Sequence, residues 1–121
     1  MLLVNCFPDE REMYEEYLRY AGFDPVEVCE PSEAFETAIS VKPDVIVTDT
    51  ALPRGIDDGL DLIRRLRSDW RTRGIGIVVV SGHAFAQYRQ QVEQAGASVF
   101  LPKPCLPQTL VEAIEHELRA A

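Results

Sequence analysis

The chain has 121 residues, 46% of them hydrophobic, which is enough for one domain with a real core. Its net charge of −8 speaks against broad binding to nucleic acid or anionic membranes. No run nears the ~18 apolar residues of a membrane span, and Met1 to Val4 is too short for a signal peptide.

In chain order, Leu2 to Cys6 is a short apolar run of strand length. Asp9 to Tyr20 follows helical spacing, with Met13, Tyr17 and Ala21 on one face and acidic residues in the first turn, where the helix dipole favours them. Gly22 ends that helix. Val26 and Val28 alternate with polar neighbours, as in a strand with one covered face. Ser32 can cap a helix carrying Phe35, Ala38 and Ile39, which stops before Lys42-Pro43. Val45-Ile46-Val47 is continuously apolar, so both faces of that strand should be covered. A polar loop, Thr50 to Gly59, leads into a helix with Leu62, Ile63 and Leu66 inward. Ile75 to Val80 is a second buried strand. Ala84 to Ala95 is helical, with Tyr88, Val92 and Ala95 in phase. Val99 to Leu101 is a short strand, and Pro107 begins a last helix with Leu110, Val111, Ile114 and Leu118 on one face.

Five β-α units of this length imply an α/β fold with parallel strands, right-handed crossovers and helices on both faces. The functional site of such a sheet lies beyond the carboxyl ends of its strands, where strand order reverses. Those ends carry Asn5-Cys6, Asp49-Thr50, Ser81-Gly82-His83 and Lys103-Pro104. Singly each has a structural explanation as a cap, turn or solvated residue. A carboxylate, a hydroxyl and an ammonium converging on one rim point instead to a site. Arg64, Arg65, Arg67, Arg71 and Arg73 read as a solvated helix face and loop, with a docking patch for an acidic partner as the minority reading. Cys6, Cys29 and Cys105 are an odd set without metal-like spacing, so no disulfide framework is expected and a reducing, cytoplasmic setting is.

The segments "PDVIVTDTALP", "DGLDLIRRLR", "IVVVSGHA" and "AGASVFLPKP" stand in order at the right separations. Through them the chain, from Leu2 to about Leu118, resembles the receiver domain of bacterial two-component response regulators. The resemblance implies a flavodoxin-like doubly wound sheet in order 2-1-3-4-5, making residues 1–121 a single receiver domain. It implies that Asp49 accepts phosphate, with Ser81 as switch hydroxyl, Lys103 as the lysine of the site, Phe100 as switch aromatic, and Asp49 and the Ala51 carbonyl as metal ligands. It also implies Mg²⁺ as cofactor, a cis Lys103-Pro104 bond, and a histidine kinase or histidine phosphotransfer protein as donor. A downstream protein is expected on the face made by Phe100 and the Ala84–Ala95 helix, with neither nucleic acid nor membrane as a partner of this domain. The chemistry agrees: a carboxylate can attack a phosphoryl group and give an acyl phosphate, and Lys103 with Mg²⁺ can offset the transferring charge.

The first strand departs from the family. Two adjacent acidic residues are usual there; here Asn5 offers a neutral oxygen and Cys6 a soft thiol, so Mg²⁺ binding should be weak. Asp9 and Glu10 read as a helix start, and Asp57 and Asp58 as loop residues, rather than as replacements. The loop from Pro53 to Gly59 is about two residues longer than the commonest family pattern, taking the resemblance as the ruler. Two alternatives follow. One is a degenerate receiver that docks proteins without phosphorylation. The other is a zinc or copper site from Cys6, Cys105 and His83. No nucleotide-binding or Ser/His/Asp motif suggests an enzyme in the usual sense. No output segment follows Ala121, so output is expected through a partner, or elsewhere if the chain is a fragment.

Overall fold

The computed structural model describes residues 1–51, 56–83 and 85–120, with the side chains of residues 56 and 57 also left aside. Its strands are β1 (Leu2–Val4), β2 (Val26–Val28), β3 (Val45–Asp49), β4 (Gly76–Ser81) and β5 (Val99–Pro102). Its helices are α1 (Pro8–Tyr20), α2 (Pro31–Val41), α3 (Ile56–Ser68), α4 (Ala86–Ala95) and α5 (Pro107–Ala120). The sheet is parallel throughout, in order β2-β1-β3-β4-β5. β3 is the middle strand, and its five residues are all buried, as its unbroken apolar run requires.

The two-residue period of the strands divides the core between two faces. Leu2, Val4, Ile46, Ile77 and Val79 point to one side, against Phe35, Leu62, Ile63, Leu66 and Val92 of α2, α3 and α4. Leu3, Val45, Val47, Val78 and Val80 point to the other, against Tyr14 and Leu18 of α1 and Leu110 and Ile114 of α5. Each fully buried Leu or Ile contributes roughly 1.5–3 kcal/mol, so this split layer supplies the stability that keeps the strand ends in register.

Helix starts use proline more than side-chain caps. Pro8 and Pro31 open α1 and α2 behind extended Phe7 and Glu30, because proline's fixed φ suits the first turn and its missing N–H is not needed there. Ser32 therefore lies inside α2 and is not its cap. The inward face of α1 is Tyr14 and Leu18, not Met13, Tyr17 and Ala21; Met13 is 45% exposed. α1 carries apolar or aromatic residues on more than one side, and the sheet selects the stripe that can bury Leu18 fully. α3 begins at Ile56, so Asp58 lies in its first turn rather than in a loop. Pro53, Asp57 as a side chain, and Ala84 fall outside the described residues, and α4 runs from Ala86 behind Phe85.

Two glycines set close approaches. A Cβ at Gly59 would stand 2.4 Å from the Thr50 Cα, so glycine lets α3 approach the end of β3. Gly96 closes α4 at φ +121°, and a Cβ there would meet the Arg67 side chain at 2.4 Å. Arg67 donates hydrogen bonds to the carbonyls of Gly96, Arg73 and Ile75 and to Ser98 Oγ. Burial lowers its pKa. Arg65 stacks on Phe35 at 3.9 Å, Arg64 faces Asp61 and Arg71 faces Asp69, so most of the arginine cluster is engaged within the fold.

Candidate functional site

The parallel register brings the strand ends together. Asp49 lies opposite Val80, and Ser81 opposite Pro102. The Lys103 N–H then donates to the Ser81 carbonyl at 2.8 Å, and the Lys103-Pro104 peptide bond is cis. Asp49 is 3% exposed. Its Oδ1 accepts the Ala51 N–H at 2.9 Å, and its Oδ2 accepts a short hydrogen bond from Lys103 Nζ. A buried carboxylate needs such partners, because an unpaired charge in that position is strongly disfavoured.

Lys103 holds a second carboxylate as well. Its Nζ lies 2.7 Å from Glu10 Oε1, the same oxygen that accepts Asn5 Nδ2–H at 2.8 Å. Burial works against the ammonium, but the bonds to Asp49 and Glu10 outweigh it and raise the Lys103 pKa. Among the described residues, the site therefore balances two carboxylates with one cation. Nearby Tyr14 has its phenol pushed up to about 12, by burial first and then by Glu10, Cys105 and Asp49.

Ser81 is fully buried, and its Oγ bonds Thr50 Oγ1 at 2.7 Å while accepting the His83 N–H at 3.0 Å. Ser81 Oγ is thus engaged with Thr50 and the His83 N–H, with no hydrogen bond to Asp49. Phe100 is buried in the layer with Tyr88 and Val92, and the Arg89 guanidinium stands 5.3 Å from its ring centroid. Buried His83 Nδ1 has no hydrogen-bond partner among the described residues.

The first strand differs from expectation. Cys6 is disulfide-bonded to Cys29, with Cα atoms 4.7 Å apart. β1 and β2 are neighbours paired Leu2 to Val26 and Val4 to Val28, so the residues just past both strands meet. The expected free thiol at Cys6, and the absence of any disulfide, are corrected accordingly; Cys105 is the free cysteine. The zinc or copper reading of Cys6, Cys105 and His83 goes with it. Cys6 sulfur is already bonded, and no group of three or more His, Cys, Asp or Glu among the described residues is placed to hold a metal ion.

Asn5 is also occupied: its Oδ1 accepts the Phe7 N–H at 2.7 Å, and its carbonyl accepts from Arg11 at 3.2 Å. The hard oxygens that the described residues bring together here are those of Asp49 and Glu10. Asp49 and Glu10 already converge on one ammonium. Mg²⁺ is commonly held by one or two carboxylates, with water and phosphate oxygens completing the shell, and this pair fits that modest requirement. Glu10 is the site residue that sequence reasoning set aside as part of a helix start. It is one, and the first turn of α1 places it beside Lys103 as well.

The chain matches the response regulator receiver domain over residues 1–115. It is 30% identical to the phosphate regulon transcriptional regulatory protein PhoB of Pseudomonas aeruginosa over 98% of this chain and 51% of that protein, and so spans about half of that relative's length. It is 31% identical to the chemotaxis protein CheY of the same organism, over 95% of this chain and 92% of that one. Among solved structures, it is similar to the receiver domain of a Pseudomonas aeruginosa sensor histidine kinase with a magnesium ion coordinated in the active-site cleft. The TM-score is 0.88 at 26% identity, covering 98% of this chain and 95% of that one. The BeF3-activated N-terminal receiver domain of Klebsiella pneumoniae RstA gives a TM-score of 0.86 at 27% identity, covering 98% and 97% of the two chains. No helix among the described residues is long and apolar enough to cross a membrane.

Proposed function

The chain belongs to the response regulator receiver family, and on that premise we propose that it relays signals by accepting a phosphoryl group on Asp49. The donor is a histidine kinase or histidine phosphotransfer protein, and the setting is the cytoplasm, where such kinases find ATP. The carrying observation is the buried Asp49 carboxylate bonded to Lys103 at the carboxyl end of the middle strand. An Asp49 oxygen attacks phosphorus, the donor's bond to phosphorus breaks, and the leaving group departs with its electron pair. Lys103 stays protonated through the step and offsets charge on the phosphoryl oxygens. Mg²⁺, held by Asp49, Glu10 and the Ala51 carbonyl, would add further charge neutralisation.

The acyl phosphate then competes for Ser81. Its hydroxyl leaves Thr50 to reach a phosphate oxygen, and the space it vacates is filled by Phe100. The downstream partner reads this on the α4 face, above Tyr88 and Phe100. The domain takes part in its own phosphorylation and needs no further enzymatic activity. In the test, the protein is incubated with acetyl phosphate and Mg²⁺, and Asp49 is followed by intact mass and by labelling. Asp49→Asn should abolish labelling; undiminished labelling of that variant would move the chemistry elsewhere. A second reading, a docking module independent of phosphate, is favoured by the bonded Cys6 and occupied Asn5. Failure of the wild type to label with a competent donor would select it.

A further inference from the structure

The Cys6–Cys29 bond stands at the start of an unbroken chain of contacts to the proposed phosphoacceptor. β1 has three residues, and its last rung to β2 is the Asn5 N–H to Val28 carbonyl bond at 3.1 Å. Immediately past that rung the disulfide takes over as the tie between the two strands. Asn5 then holds Glu10, Glu10 holds Lys103, and Lys103 holds Asp49. Asn5 Oδ1 also fixes the entry to α1 through the Phe7 N–H. Both bonded cysteines are half-buried rather than enclosed in the core. Disulfides in reducing compartments are commonly transient and redox-sensing rather than structural.

We propose that Cys6–Cys29 is a thiol–disulfide exchange site for dithiols, and that opening it slows phosphoryl transfer to Asp49. This rests on the phosphoacceptor reading above. One thiolate of the dithiol attacks a sulfur of the protein disulfide. The S–S bond breaks, the other cysteine leaves as thiolate and takes up a proton, and a mixed disulfide forms. The reagent's second thiol closes on its own sulfur and releases the second cysteine. Two electrons pass from dithiol to protein, and exchange with the oxidised reagent reverses the step. Once the tie is gone, the corner from Asn5 to Phe7 depends on hydrogen bonds alone. Lys103 then loses part of the framework that orients it on Asp49, and a preorganised charge is worth more than a mobile one.

The experiment compares oxidised and dithiothreitol-reduced protein in a Cys105→Ser background, with thiols counted by alkylation and mass. Both forms are incubated with labelled acetyl phosphate and Mg²⁺ at a temperature where circular dichroism shows them folded. Reduction should slow Asp49 labelling at least about fivefold, the low end of ordinary coupling between sites. Reoxidation should restore the rate, and Cys29→Ser should be slow and indifferent to dithiothreitol. Indistinguishable rates, a bond that does not open in the folded protein, or a reduced form that unfolds outright would each overturn the proposal. If neither form labels, the phosphoacceptor reading fails on its own. The exchange site is then judged by NMR: reduction must shift the Asn5 side-chain amide and Lys103 signals, and unmoved signals overturn it.

Discussion

Lys103→Met removes a cation shared by Asp49 and Glu10 and keeps most of the side chain's volume. The Asp49 side chain is 2% exposed, and its remaining hydrogen bond among the described residues is the one from the Ala51 N–H. Leaving a buried charge without its partner typically costs 3–5 kcal/mol. Glu10 is 26% exposed and can turn to solvent, and Lys103 lies at the rim of the sheet, so the low end applies. The expected loss is about 3 kcal/mol, or about 12 °C in Tm for a chain of this length. Adding Asp49→Asn should return about 2 kcal/mol, because the unpaired charge is then gone. Urea melts of wild type, both single variants and the double variant complete the cycle, with a common slope required for comparison. If Lys103→Met stays within about 1 kcal/mol of wild type, or if the double variant is no more stable than it, Asp49 draws its countercharge elsewhere and the reasoning fails.

Four further outcomes are expected. Glu10→Gln should weaken Mg²⁺ binding in calorimetry by at least about tenfold, since outer-shell changes alone can do that much; an unchanged affinity would place the ion on other donors. Cys6→Asp should raise Mg²⁺ affinity, but it also opens a crosslink of sequence separation 23. It should therefore lose about 3 kcal/mol without metal, a loss that Cys29→Ser should share while gaining no affinity for Mg²⁺. Tyr14 favours its neutral form in the fold, with a pKa of about 12 against an ordinary 10.0. As pH rises from 10 toward 12 the unfolded chain ionises while the folded one does not, so stability falls across that window, and Tyr14→Phe should flatten the fall in urea midpoints. Gly96→Ala should cost about 3 kcal/mol through its positive φ and its collision with Arg67; a neutral melt would refute both costs.

The strands, and the position of Asp49, Ser81 and Lys103 at their ends, were legible in the sequence because buried parallel strands are continuous apolar runs and their ends are marked by polar residues; the strand order came from the resemblance to receiver domains. What failed depended on partners distant in sequence. The face of α1 turned on which aromatic residues the sheet would bury, and Tyr14 and Leu18 were chosen by packing rather than by local spacing. The disulfide needed the pairing of β1 with β2: Cys6 follows Val4 by two residues and Cys29 follows Val28 by one, a coincidence that carries meaning once those strands are known to be neighbours. Glu10 was hidden because one helical turn serves two ends. A carboxylate there suits the helix dipole, and it also faces a lysine whose approach is set more than ninety positions later in the chain.

The ends of the sheet bear on how the molecule behaves in a crowded solution. Both outer strands are short: β2 has three residues and β5 four. β2 is preceded by Pro25 and carries exposed Glu27 at its centre, while β5 finishes on Pro102 with a second proline at 104. Proline has no N–H to offer an incoming strand, and a charged side chain on an open rim discourages a second sheet from adding there. With its open backbone edges kept short and interrupted, the protein can expose apolar residues such as Val26 without inviting the strand-to-strand growth that leads to fibrils.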